Sequence, residues 1–407
     1  MSVSGSAAAA GTMLTGRVVA LLAGLSAISV LSTNIILPAF PDIARDLDVS
    51  SRALGLTLSS FFITYALAQL VVGPLADRFG RKRLVLGGLS LFVVGTGICG
   101  LADSLETLVT GRVVQALGVC AAAVLARAIA RDLFEGEALV RALSLTMIAT
   151  AAAPGFSPLI GSLLTTTIGW RAIFMIVGIA AICIAVFYAR ALGETHPPSQ
   201  RVTYSFAAVL TAYKTLISDS RFILPGLSVS LLMSGLFASF GAAPAILMEG
   251  IGLTGLQAGL YFAATVFVVF GAGMAAPRLA KRLGARTVVS IGLAAAMVGG
   301  LLLLLGPQAP SLGWYTCSVM LFLWGMGIAN PLGTAITMGP YSTQAGLASA
   351  MLGFLTMGAA AVTTWLGSVL TFPAVSTLGG IQSATCLTAL SLFLLSNRAA
   401  TIGKCAV

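Results

Sequence analysis

Long apolar runs separated by short polar breaks occupy nearly the whole chain. Twelve of them fall near 17–37, 54–75, 84–102, 107–130, 139–166, 172–192, 222–247, 256–278, 286–306, 312–338, 345–370 and 376–397. A helix needs ~20 mostly apolar residues to cross a hydrocarbon layer ~30 Å thick, and the runs are of that order. Strands of a membrane barrel would show ~10-residue stretches of alternating polarity instead. These runs do not alternate. The pattern predicts an all-α membrane protein with twelve transmembrane helices and little room for a soluble domain.

Composition strengthens this reading. Of 407 residues, 58% are hydrophobic and 8% charged, where a soluble domain carries roughly 25% charged residues. The chain's solvent is therefore a lipid bilayer. The 46 glycines fit helices that approach closely, because lipid gives helices no hydrophobic drive to associate. Six cysteines show no CxxC or paired spacing, and five (Cys99, Cys120, Cys183, Cys317, Cys386) sit inside apolar runs as small packing residues. The one histidine, His196, leaves no histidine-based metal site. We expect no metal and no cofactor. No Ser/His/Asp set, phosphate loop, HExxH or ATP-binding motif is present, which argues against an enzyme or a primary pump.

Charge sets the expected topology. With the N-terminus inside, inner segments hold Arg17, Arg78, Arg81, Lys82, Arg83, Arg131, Arg141, Arg190, Arg201, Lys214, Arg221, Arg278, Lys281, Arg282, Arg286, Arg398 and Lys404, which is 17 of the 22 basic residues. Outer loops hold only Arg45, Arg52 and Arg171. Basic residues concentrate on the cytoplasmic side of membrane proteins. The expectation is a bacterial inner-membrane protein with both termini cytoplasmic and a first span that is retained. The net charge of +10 is thus topological. A nucleic-acid partner would need those charges on one surface.

An internal repeat divides the chain. Leu75-Ala-Asp77-Arg78-Phe-Gly80 aligns with Leu279-Ala-Lys281-Arg282-Leu-Gly284 at an offset of 204 residues. The longest polar stretch, 193–221, lies between spans 6 and 7. A six-helix half over 1–192, a cytoplasmic linker over 193–221 and a second six-helix half over 222–407 follow. Repeated halves with a site between them near the bilayer midplane are a transporter plan.

Several motifs carry a family resemblance. The segment Gly73-Pro-Leu-Ala-Asp77-Arg78-Phe-Gly80-Arg81-Lys82-Arg83 resembles the loop 2–3 motif of the major facilitator superfamily, GxxxDRxGRRx. Glycine at 73 allows close helix approach, and at 80 a turn. The resemblance implies that Asp77 faces the start of span 11, near Ser342 to Gly346, where a helix N-terminus favours a carboxylate. Asp132 is a candidate partner of Arg78 or Arg81. Arg112-Val-Val-Gln115-Ala-Leu-Gly118 in span 4 is similar to the superfamily's RxxQG segment. Arg112 and Gln115 share a helix face and are candidates for substrate contact or proton coupling, the alternative being an arginine that snorkels to the outer interface. Arg127, deeper in the same span, reads as structural.

In span 5, Ala153-Pro154-Gly155-Phe156-Ser157-Pro158-Leu-Ile-Gly161-Ser162 resembles the exporter motif of the superfamily, with Ser157 and Ser162 in place of glycines. Pro154 and Pro158 bend a helix, and Gly155 and Gly161 permit close packing. The end of span 1 (Asn34 to Ile43) and the start of span 11 (Gly346 to Leu355) resemble the Bcr/CflA group of drug-resistance exporters. That resemblance implies a small-molecule exporter working by alternating access as a monomer, with a proton as coupling ion. The group usually carries an acid where this chain has Asn34, and Asn cannot titrate. Proton coupling would then involve Asp42, Asp77 or Asp132. Asn34, Tyr65, Gln69, Arg112, Gln115, Ser234, Phe237, Phe240 and Asn330 are candidate cavity residues. Antibiotics and endogenous products such as a siderophore are the candidate cargoes. Nutrient import is disfavoured by the span 5 motif, and a non-transporting receptor by the short loops.

Overall fold

The computed structural model describes residues 16–201, 206–307 and 311–405. Among them the chain is helical, without strands. The helices are α1 (Gly16–Asn34), α2 (Phe40–Asp46), α3 (Gly55–Phe79), α4 (Arg81–Gly100), α5 (Leu105–Leu133), α6 (Gly136–Ile168), α7 (Arg171–Ala191), α8 (Phe206–Ser218), α9 (Ser220–Ala243), α10 (Gly255–Leu283), α11 (Ala285–Leu304), α12 (Leu312–Met338), α13 (Ala345–Val369) and α14 (Ala374–Cys405). Twelve stretches are long and apolar enough to cross a bilayer, from Gly16–Asp46 to Ala374–Arg398. Only helices keep every backbone group bonded within one segment, which lipid requires.

All twelve apolar runs become spans, and most helices overrun their apolar window. The largest overrun is at span 1. The chain breaks helix at Asn34, turns through a short 3₁₀ segment at Leu37–Ala39, and resumes as α2 to Asp46. Span 7 is irregular in the corresponding place, where a π segment at Pro244–Gly250 extends α9. Within the polar stretch 193–221 lies α8, a helix that the hydropathy runs did not reveal. Its Tyr213 and Leu216 are buried, and the Tyr213 hydroxyl donates to Leu70 O of α3 at 2.9 Å.

The repeat runs deeper than the loop motif. Gly80 and Gly284 end α3 and α10 with φ of +94° and +84°, a conformation that costs glycine little. The same offset of 204 relates Gly88 to Gly292, and Gly95 to Gly299. A Cβ on Gly88 would lie 2.6 Å from Gly118 O, and one on Gly292 2.6 Å from Gly325 O. So α4 packs on α5 as α11 packs on α12, backbone against backbone, as small residues allow in membranes.

The first six spans meet the second six along two seams. In one, α3 lies along α13, from Gly55 against Ser368 to Gln69 against Gly353. In the other, α6 meets α10 through Gly255 against Ser162, Gly259 against Leu159, and Gly155 against Val266. The α6–α10 contacts lie in the part remote from the basic loops.

Candidate functional site

Three clusters of polar groups stand out against the apolar bundle. The first is at the basic end. Arg81 Nη1 donates to Asp77 Oδ1 at 2.6 Å, four residues back across the Gly80 turn, and Arg81 Nε to Asp132 Oδ2 of α5 at 3.4 Å. Thr195 Oγ1 donates to the same Asp132 oxygen at 3.0 Å. The candidate pairing of Asp132 therefore resolves to Arg81. Arg78 lies over the ring of Phe79, 5.1 Å from its centroid. Asp77 turns to Arg81. No bond from it to the start of α13 is present among the described residues. Gly73 differs from expectation as well, since a Cβ there would meet open space.

Glu194, which sequence reasoning did not single out, completes this cluster. Its carboxylate accepts from the backbone N–H of Arg81 at 2.8 Å and of Lys82 at 3.3 Å. These are unsatisfied donors of the first turn of α4, where a negative charge is favoured. Lys82 Nζ donates to Ala189 O and Leu192 O, each at 2.9 Å, at the other helix polarity, the C-terminus of α7. Glycine suits position 80 because its φ is +94°, and a Cβ there would also crowd the Glu194 carboxylate.

The second cluster surrounds Arg112, which is fully buried. Snorkelling is thereby excluded. Its Nη1 donates to Ser32 O at 3.0 Å and to Gln115 Oε1 at 2.9 Å. Gln115 Nε2 in turn donates to Thr96 Oγ1 of α4 at 2.8 Å. Ser32 lies in the last turn of α1, whose carbonyls lack helical partners and carry the negative end of the dipole. The ring of Phe61 covers the guanidinium at 4.4 Å, a cation–π contact in a desolvated place. Arg112 thus fastens the broken end of α1 to α5 and α4 without a carboxylate. Neither its Nε nor its Nη2 has a partner, nor does Asn34 Oδ1. Asn34 Nδ2 bonds back to Val30 O at 2.9 Å within its own helix.

From Phe61 an aromatic series crosses between the halves. Phe62 of α3 meets Phe237 of α9 at 4.8 Å between centroids. Phe237 leads to Phe240, and Phe240 to Phe262 of α10 at 5.8 Å. Tyr261 continues it to the buried Tyr315 of α12 at 6.0 Å. Tyr65 stacks on Phe61 at 6.2 Å. Of the candidate cavity residues, Tyr65, Phe237 and Phe240 therefore join one layer. Ser234 is buried and spends its hydroxyl on Leu231 O. Asn330 is half-buried. Asp42 stands apart, paired with Arg45 at 3.1 Å on the surface of α2.

The third cluster closes the end opposite the basic loops. Arg52 donates to Leu370 O and, at 2.8 Å, to Phe372 O, the last carbonyls after α13. An arginine from the first half thereby caps a helix of the second. Nothing in the local sequence marks Arg52, because its partners lie 318 and 320 residues away.

Residues 22–368 match the Major Facilitator Superfamily. Multidrug resistance protein D of Escherichia coli (strain K12) is 31% identical over 336 residues, covering 81% of this chain and 83% of that protein. Multidrug resistance protein MdtL of Escherichia coli O157:H7 (strain EC4115 / EHEC) is 28% identical over 362 residues, 88% of this chain and 90% of that protein. Among solved structures, an inward-facing, unoccupied bacterial homologue of the human lysosomal transporter Spinster superposes with a TM-score of 0.73 at 18% identity, over 94% of this chain and 96% of that one. That likeness concerns the fold.

Proposed function

The chain belongs to the Major Facilitator Superfamily and is a multi-pass membrane transporter, and from that premise we propose that it exports small organic molecules by alternating access. One observation carries the reading: the exporter-like motif lies where span 5 packs on the break in span 1 and on α10 of the second half. Gly161 packs on the Ile35 carbonyl at the break in span 1, and Gly155 packs on Val266 of α10. Side chains there would hold these helices apart. Multidrug-resistance relatives at 31% and 28% identity support efflux as the direction.

In this scheme the basic end faces the cytoplasm of a bacterial cell, with both termini there, and the protein is a monomer in the inner membrane. Cargo enters between the halves from the basic end. The Arg52 cap and the Phe62–Phe237 contact hold the far end shut. Asp77 is held by Arg81 in this arrangement and turns to the start of α13 when the basic end closes. The coupling ion is a proton by family resemblance. Every carboxylate of the chain lies in a loop or near a helix end, so Asp77 or Asp132 would take the proton, with Asp42 at the opposite end.

Transport of a drug-like dye in proteoliposomes, with and without an imposed pH gradient, tests this. We expect accumulation that rises with the gradient, and a steeper pH dependence in Asn34→Asp. Dye movement that ignores the gradient sinks proton coupling, and no movement sinks the drug reading. Loss of a secreted iron chelator on deletion, with drug tolerance intact, would favour the siderophore alternative.

A further inference from the structure

Helix α8 has 13 residues, too few to cross a bilayer that needs ~20. Val209, Tyr213 and Leu216, spaced as one helical face, pack into an apolar cluster with Leu70 of α3, Phe222 of α9, and Ala348 and Met351 of α13. The helix therefore lies across the seam where α3 runs along α13. Its depth follows from the bond between the Tyr213 hydroxyl and Leu70 O. Leu70 lies five residues inside the apolar run that ends near 75, about 7.5 Å at ~1.5 Å per residue. Interfacial helices ride ~5–10 Å into the boundary between headgroups and acyl chains. Beside Leu70, α3 shows the exposed apolar stripe Leu67, Val71 and Leu75, a surface that lipid solvates.

The packed face does not use up the apolar side of α8. Leu210 and Ile217 are 58% and 46% exposed. At ~100° per residue they sit roughly 40–60° round the helix from Tyr213. Lys214 follows at roughly 100°, and Thr211 and Ser218 at roughly 140–160°. The order round the helix is thus protein-facing, apolar and open, cationic, then hydroxylic. A lysine at the edge of an apolar sector reaches the headgroup level while its stem stays in the apolar layer. Residues 206–218 include no acid. The next one, Asp219, accepts from the backbone N–H of Arg221 and from the Tyr341 hydroxyl. Lys214 and Arg221 are both exposed.

We propose that α8 is an interfacial lipid-binding helix. Leu210 and Ile217 enter the acyl boundary of the leaflet at the basic end, and the Lys214 ammonium binds the phosphate of an anionic phospholipid. The lipid seats α8 across the α3–α13 seam. Three observations carry this together: the depth set by Leu70, the open apolar sector beside the packed one, and a cation at its edge with no acid in the helix. The direction of transport does not enter.

The test uses the full chain in nanodiscs of phosphatidylglycerol or of phosphatidylcholine. Nitroxides are placed through Leu210→Cys, Ile217→Cys and Thr211→Cys, with Cys183, Cys317 and Cys405 replaced by serine. Labels at 210 and 217 should collide with oxygen more than with a water-soluble nickel chelate, and the label at 211 should do the reverse. In unlabelled wild type, amide exchange over 206–218 should be about fivefold slower in phosphatidylglycerol, the equivalent of about 1 kcal/mol for one lysine at an anionic surface. Lys214→Gln should abolish that difference and Lys214→Arg should keep it. Should Lys214→Gln fail to fold, the wild-type comparison of the two lipids decides alone. Nickel access at 210 and 217 equal to that at 211 overturns the proposal and leaves the open face to a soluble partner. Exchange that is the same in both lipids, or a difference that survives Lys214→Gln, overturns the headgroup contact.

Discussion

Removing the Arg52 guanidinium should loosen the end of the transporter opposite the basic loops. Arg52 is half-buried and donates to two carbonyls beyond α13, so Arg52→Ala deletes two charge-assisted bonds and a cation at a helix C-terminus. Bonds to charged groups contribute about 1.5–3 kcal/mol, and the dipole contact about 0.3–1 kcal/mol. Partial exposure, above all on the Phe372 side, discounts the sum to about 1.5–2 kcal/mol. That corresponds to a shift of about 10- to 30-fold toward opening at this end. Ser368, against Gly55 behind the cap, lines a small cavity with Arg52 and Thr364. A cysteine at 368, with the exposed Cys183 and Cys317 replaced by serine, reports its opening through labelling by an impermeant maleimide. The labelling rate should rise by that factor in Arg52→Ala, and by less in Arg52→Lys. A rate unchanged within about twofold, in protein that remains monodisperse, would refute the capping role.

Three further outcomes follow from the packing and the ion pairs. Gly161→Val drives a branched side chain onto the Ile35 carbonyl and should destabilise by about 1–3 kcal/mol or more, whereas Gly73→Val enters open space and should change stability by less than about 0.5 kcal/mol; thermal unfolding in detergent ranks them, and equal losses would contradict the packing of α6 on the break in span 1. A double-mutant cycle on Arg81 and Asp132, whose closest atoms are 3.4 Å apart with side chains 10% and 19% exposed, should give a coupling of about 1 kcal/mol, while the same cycle on Arg78 and Asp132 should give none. Tyr213→Phe should free α8 by about 1 kcal/mol, read as faster hydrogen exchange in 206–218. Burial pushes the Tyr213 phenol up to about 12 from its ordinary 10, so its contribution is complete below pH 10 and is lost as pH rises from 10 toward 12; a loss of α8 protection already at pH 8 would show that the bond to Leu70 O does not hold the helix.

Glu194 shows why part of the site was hidden. A carboxylate in a loop carries no periodic signal, and its importance comes from meeting the first turn of α4 across more than a hundred residues. Arg127 makes the converse point. Its position in span 4 suggested a structural arginine, and in the folded chain it is exposed, while Asp132, the acid within reach in sequence, is engaged by Arg81.

What hydropathy and motif determined is local and repetitive. Lipid leaves a chain no alternative to internally bonded helices, so apolar length alone yielded twelve spans, and the offset of 204 yielded their two-fold order. The glycine at 80 was legible as a turn because only a special backbone conformation closes so short a loop, and the repeat set Gly284 in the matching place. What tertiary structure decided is pairing across distance. It turned Arg112 inward onto the end of α1, gave Arg81 both Asp77 and Asp132, placed Arg52 over α13, and set Gly161 against the break in span 1. Apart from Asp77, none of these partners is near in sequence, and a polar residue in a membrane helix shows its role only through the group that the fold brings to it.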